Sequence, residues 1–220
     1  MSANHESKNF FLAGPAGKLE AVLWKPAQGA SPRFAAVVCH PHPLFGGTLH
    51  NKVVYQAAKA LDAHKGAVLR FNFRGTGLSE GKHDRGIGER EDVRAALDFL
   101  AAEFPGKPLL LAGFSFGCWV GLRVGCEDTR VQRLVGIGAP VNSSDFSYLE
   151  GKGCSKPKLF VHGSNDEFGD VRRVENLVDN LPGEKKLVVV DGVNHFFTGK
   201  IEELGGAISE WMAGWPSGDS

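Results

Sequence analysis

Gly113-Phe114-Ser115-Phe116-Gly117 is a G-x-S-x-G segment directly after the apolar run Leu109-Leu110-Leu111-Ala112. The run reads as a buried strand and the residues after the motif as a helix, so Ser115 falls on a strand–turn–helix elbow. Such a turn exposes the hydroxyl, and its glycines are needed because side chains there would meet neighbouring backbone. The helix behind it offers free N–H groups and the positive end of a dipole to a developing oxyanion. The chemistry implied is attack by an activated hydroxyl. That requires a base and a group to orient the base, and on this type of elbow they follow in the order Ser, acid, His. Lys158-Leu159-Phe160-Val161 is strand-like and leads into His162-Gly163-Ser164-Asn165-Asp166; Leu187-Val188-Val189-Val190 leads into Asp191-Gly192-Val193-Asn194-His195. His195 is therefore the candidate base for Ser115, with Asp166 to set its tautomer and stabilise the imidazolium. Asp145, after a further strand, is the second choice of acid. Asp170 reads as a helix N-cap, and Asp191 stands too near His195 to orient it from the far side.

These residues must be delivered by repeated strand–helix units. Phe10–Leu12 and Leu19–Trp24 read as strands around a Gly-Pro-Ala-Gly turn, and Ala35–Cys39, Val68–Phe73, the elbow strand and Arg133–Ile137 continue the series. With the runs ending at His162 and Val190 this makes eight strands. Helical spacing joins Val53, Val54, Ala57, Ala60 and Leu61; Val93, Ala96, Leu97, Leu100 and Phe104; Val171, Val174, Leu177, Val178 and Leu181; and Ile201, Leu204, Ile208, Trp211 and Trp215. Alternation of this kind predicts a single α/β domain over residues 1–220, with a mostly parallel sheet covered on both faces and the site at the carboxyl ends of the strands. The Ala139–Pro157 link, rich in Gly, Ser, Asn and Pro, reads as a loop with at most one short helix, not as a cap domain.

With its motifs in this order, nearly the whole chain resembles the α/β-hydrolase superfamily, and more narrowly the small lidless bacterial serine hydrolases related to dienelactone hydrolase. Besides the elbow, the resemblance rests on Cys39-His40-Pro41-His42-Pro43-Leu44-Phe45-Gly46-Gly47, where such enzymes place a His-Gly-type oxyanion loop. It rests also on Arg70-Phe71-Asn72-Phe73-Arg74-Gly75-Thr76-Gly77-Leu78-Ser79-Glu80-Gly81, which resembles their strand-four exit. Pro41 stands where glycine is usual and donates no N–H, and the nucleophile is serine where dienelactone hydrolase itself uses cysteine. The resemblance implies a serine hydrolase acting on small carboxylic esters through an acyl-enzyme. A thioesterase or small-peptide or amide hydrolase on the same triad stays open, as does a non-catalytic binding protein of the same fold. The implied oxyanion donors are the backbone N–H of Phe116 and that of His42, with Leu44 as the alternative. Leu44, Phe45, Phe146 and Phe168, on loops at strand ends, are the expected pocket walls, whereas Phe114 and Trp119 read as core.

Other chemistries fare less well. In Gly75-Thr76-Gly77-Leu78-Ser79-Glu80-Gly81 the third glycine comes one position late for a dinucleotide fingerprint and polar loop follows it, and the chain has no phosphate loop. His40, His42 and His50 lack the Cys or carboxylate partners of a metal set and read as loop-stiffening residues. No cofactor or metal is expected. Lys plus Arg and Asp plus Glu both number 25, a balance that gives no field for nucleic acid or an anionic membrane. Arg70 and Arg74 read as partners of carboxylates near Glu89–Asp92. The polar Met1–Asn9 carries no signal-peptide pattern. The four cysteines form no C-x-x-C pair and are expected to stay reduced in a cytoplasm, with Cys39 and Cys118 as small core residues. Oligomeric state is not legible.

Overall fold

The structure, a computed structural model, describes residues 5–27, 29–150 and 154–215. Strands β1 (His5–Gly14) and β2 (Gly17–Pro26) form a hairpin. β3 (Phe34–Cys39), α1 (Lys52–Ala63), β4 (Gly66–Phe71), α2 (Ile87–Glu103), β5 (Leu109–Phe114) and α3 (Phe116–Glu127) then alternate. β6 (Val131–Ile137), β7 (Lys158–Gly163), α4 (Val171–Asp179), β8 (Lys185–Val190) and α5 (Ile201–Ala213) complete the chain. The eight strands form one sheet in the order β1-β2-β4-β3-β5-β6-β7-β8. β1 and β2 join antiparallel, as do β2 and β4, and every pair from β4 to β8 is parallel. This is the architecture the sequence predicts.

Alternation along the strands makes two cores. Ala35, Val37, Leu69, Leu111 and Leu134 point to the side covered by α2, α3 and α4. Ala36, Val38, Val68, Leu110 and Val135 point to the side covered by α1 and α5. A strand flanked on both faces has no need of polar alternation, which is why β3 to β7 are nearly continuous apolar runs. The central strand β5 ends at the elbow. The edge strand β8 is different: it pairs only with β7, and just Val190 of its six residues is buried. β4 stops at Phe71, two residues before the predicted end. There the chain leaves the ladder, because Asn72 N–H donates to Glu20 O and Phe73 N–H donates to the ring of His40.

The link after β6 is irregular, with one 3₁₀ turn at Ser147–Leu149; residues 151–153 of it lie outside the described residues. It brings Cys154 to Cys126 at the end of α3, and the two form a disulfide with Cα atoms 5.4 Å apart. This corrects the expectation of four reduced cysteines. No local spacing could reveal the pair, since the chain must pass through β6 to bring its partners together. Cys39 and Cys118 are free and buried, and burial pushes both thiols well above their ordinary range. No helix among the described residues is long and apolar enough to cross a membrane.

Candidate active site

Ser115 stands between β5 and α3 with φ 55° and ψ −118°, a backbone conformation costly for a residue with a side chain. The surroundings enforce it. Ser115 N–H donates to Ile137 O at 2.9 Å, tying the elbow to β6. A Cβ on Gly113 would run into the carbonyl of Gly117, and one on Gly117 would stand 2.5 and 2.6 Å from the carbonyl oxygens of His40 and Cys39. The exit of β3 thus crosses directly over the first turn of α3, and only glycine permits it.

Asp166 follows β7 and His195 follows β8. Asp166 Oδ1 accepts from the N–H groups of Phe168 (2.9 Å) and Gly169 (3.2 Å), which leaves Oδ2 to accept from His195 Nδ1 at 2.8 Å. Both side chains are buried. A carboxylate only accepts, so the ring proton sits on Nδ1 and Nε2 keeps its lone pair, the tautomer a general base requires. The backbone N–H of His195 donates to Glu167 Oε2. The imidazole is boxed in by Phe114 (centroids 4.8 Å apart), Phe168 (4.6 Å) and Phe196 (5.3 Å), and a Cβ on Gly138 would stand 3.2 Å from it. Phe114 immediately precedes Ser115, so the imidazole lies beside the elbow.

The rival acids are engaged elsewhere. The Asp145 carboxylate is exposed and accepts from Ser147 N–H and Oγ–H. Asp170 caps α4, as its position suggests. Asp191 accepts from Ser164 Oγ–H. His162, seen in the sequence only as the end of a strand, holds the acid loop from behind. Its Nε2 donates to Gly169 O at 2.7 Å and lies 3.7 Å from Asp166 Oδ2, while its Nδ1 is buried without a hydrogen-bond partner.

Phe116 is the first residue of α3 and His42 caps the 3₁₀ turn Pro43–Phe45, so neither N–H has an intrahelical acceptor. Leu44 N–H, by contrast, donates to His42 Nδ1 at 3.2 Å. The His42 ring lies 4.9 Å from that of Phe116 and 4.9 Å from that of His83, a histidine the motifs do not flag. Leu44 and Phe45 are exposed at 69% and 86%, and Phe168 at 47%. Phe146 lies elsewhere: it is buried, and with Val141 and Leu177 it lines a cavity of about 510 Å³ beside α4 that none of Ser115, Asp166 and His195 lines. Arg74 grips Asp92 through Nε and Nη2. Arg70 does not pair with a carboxylate as expected. Its guanidinium lies 4.2 Å over the Trp24 ring and donates to Leu49 O, and burial lowers its pKa to about 10.

His40 joins two strand exits. Nδ1 donates to Pro41 O (2.6 Å) and Nε2 accepts from Phe73 N–H (3.0 Å), so neither nitrogen has a lone pair free for a cation. Burial lowers its pKa from 6.5 to about 4. Between those values the unfolded chain binds a proton that the folded chain refuses. Stability is therefore complete above about pH 6.5 and falls toward pH 4, by on the order of 3 kcal/mol from this one group. Urea midpoints at pH 7 and 4.5 measure this. His40→Gln is expected to be less stable at pH 7 but to lose less on acidification; an unchanged acid slope would assign it to other groups.

Residues 30–153 match the family described as Serine aminopeptidase, S33. An uncharacterized protein of Rickettsia prowazekii (strain Madrid E) is 37% identical over 211 residues, spanning 92% of this chain and 87% of its own. An alpha-beta serine hydrolase homologue from Coxiella burnetii is 36% identical with a TM-score of 0.85, over 92% of this chain and 96% of its own. An a/b serine hydrolase without lid from Xanthomonas campestris is also 36% identical with a TM-score of 0.85, over 96% and 97%.

Proposed function

Because this chain belongs to the Serine aminopeptidase, S33 family of α/β hydrolases, we propose that it is a serine hydrolase that cleaves small carboxylic esters with short acyl groups. The observation that carries this reading is the buried Asp166–His195 hydrogen bond set beside a strained serine elbow. Ser115 Oγ attacks the ester carbonyl while His195 Nε2 takes its proton. The tetrahedral oxyanion is received by the N–H groups of Phe116 and His42. As it collapses, the imidazolium returns the proton to the departing alcohol and leaves an acyl group on Ser115. Water, deprotonated by the same nitrogen, releases the acid. Asp166 holds the imidazole in place throughout and balances its charge.

A fluorophosphonate probe tests the chemistry: it should label the protein once, at Ser115 by peptide mapping, and a silent binding protein would stay unlabelled. The family's description names an aminopeptidase, so nitrophenyl esters should be compared with aminoacyl amides and acyl-CoA thioesters. Faster turnover of amides or thioesters would displace the ester reading.

The uncapped strand ends bear on the acyl group. With no helical cap over the site among the described residues, each further methylene of a long chain gains less than the roughly 0.8 kcal/mol of full burial. Across nitrophenyl esters from acetate to palmitate, kcat/KM should peak at the short end, with no jump at the micelle-forming concentration. A maximum at long chains would mean that the exposed Leu44, Phe45 and Phe168 close over the substrate.

A further inference from the structure

A second cavity of about 510 Å³ lies between the first turn of α1 and the loop that follows His195; Ser115, Asp166 and His195 do not line it, and it reaches the site through Phe196. Its wall includes Phe196, the residue next to His195, whose ring stands edge-on to the imidazole at 5.3 Å. The exposed Phe196 ring and the half-buried Ile201 supply its apolar surface, Val53 and Phe197 lie buried behind it, and His50 and Lys52 are exposed at its rim. Among the described residues no carboxylate lines it. The volume suits a ring-sized ligand.

Two local features run against the elements that hold them. Lys52 opens α1, where the helix dipole disfavours a cation, and no acidic residue stands in that first turn to compensate. Glu202, at the facing end of α5, is held instead by the Gln56 amide at 3.0 Å. Phe197 is wholly buried with φ 54°, an outlier for so bulky a residue. Conflicts of this kind between a residue and its element collect where a ligand must be held.

Chemistry decides which half of the substrate goes here. The imidazolium of His195 must hand its proton to the leaving oxygen, so the alcohol departs on the imidazole's side, where Phe168 and Phe196 flank the ring and only Phe196 opens onto this cavity. We propose that this cavity is the leaving-group subsite, and that it takes an apolar, ring-sized alcohol ending in a carboxylate that Lys52 recognises. The inference rests on the reading of the site as an esterase and names the substrate class of that site.

The test compares the acetyl ester of 4-hydroxyphenylacetate with that of 4-hydroxyphenylacetamide. The two leaving groups have closely similar acidity and differ in the distal charge. The protein should prefer the carboxylate ester by about fivefold in kcat/KM, expressed in KM, as one exposed ion pair allows. Lys52→Gln should bring the ratio to about one. Equal rates on both esters, or a preference that survives Lys52→Gln, would overturn the proposal. Calorimetry on Ser115→Ala separates this failure from that of the esterase reading. 4-Hydroxyphenylacetate should bind that variant more tightly than the amide, and adding Lys52→Gln should abolish the difference. If Ser115 resists the fluorophosphonate probe, the esterase reading fails by itself; if binding shows no charge preference, the subsite fails whatever the chemistry.

Discussion

Replacing Ser115 with alanine is expected to lower kcat by about 10⁵- to 10⁶-fold, the loss seen when a serine nucleophile is removed from a triad that acts as a unit. The fold should not notice. Alanine meets the same backbone demand at φ 55°, and the contacts that hold the elbow are made by main chain: Ser115 N–H to Ile137 O and Trp119 N–H to Ser115 O. Circular dichroism and the urea midpoint should be close to those of the parent. The residual rate should still exceed that in water by about 10³ to 10⁴, because oxyanion donors and substrate binding survive. Ester hydrolysis with burst kinetics in a well-folded Ser115→Ala would move the nucleophile elsewhere.

Asp166→Asn should cost about 10⁴-fold in kcat, the penalty for holding the histidine in the wrong tautomer. The hydrogen bonds of the loop specify how this happens. Oδ1 accepts from two backbone N–H groups, so an asparagine must place its carbonyl oxygen there. Its NH₂ is then directed at His195 Nδ1, the atom that now donates to Oδ2 at 2.8 Å. The ring answers by moving its proton to Nε2, where it can no longer accept one from Ser115. Asp145→Asn is the control: among the described residues that carboxylate binds only Ser147, and its loss should leave kcat within about twofold, as for a surface change away from the site. The reverse ranking would transfer the role of the acid to the link after β6.

What the sequence makes legible here is what is encoded locally. The strands before the elbow, before Asp166 and before His195 are apolar runs with turn residues behind them, and they place three residues distant in the chain at one edge of the sheet. The role of His40 as a stiffener follows from its place at a strand exit. Legibility stops where a side chain's partner is set by the return of the chain. Cys126 meets Cys154 only across β6, and Arg70 finds Trp24 on the neighbouring strand instead of a carboxylate. His162 looks like any strand-end residue until the Asp166 loop folds back over it. His83 lies in a polar loop whose docking against His42 no pattern announces. Phe146 sits in an aromatic-rich stretch, and only packing shows that it turns inward beside α4.

The placement of His195 has a consequence for how the protein fails. Its loop hangs from β8, the sheet-edge strand with one neighbour and one buried residue, whereas Ser115 hangs from central, fully buried β5. Local opening draws on the least buried units first. The amides of β8 should therefore exchange with deuterium well before those of β5, and on heating, hydrolase activity should vanish some degrees below the global unfolding transition. Fluorophosphonate capture should fade along with turnover while the β5 amides stay protected. Coincident loss of activity, β8 protection and β5 protection would mean that the proposed base and nucleophile belong to one cooperative unit.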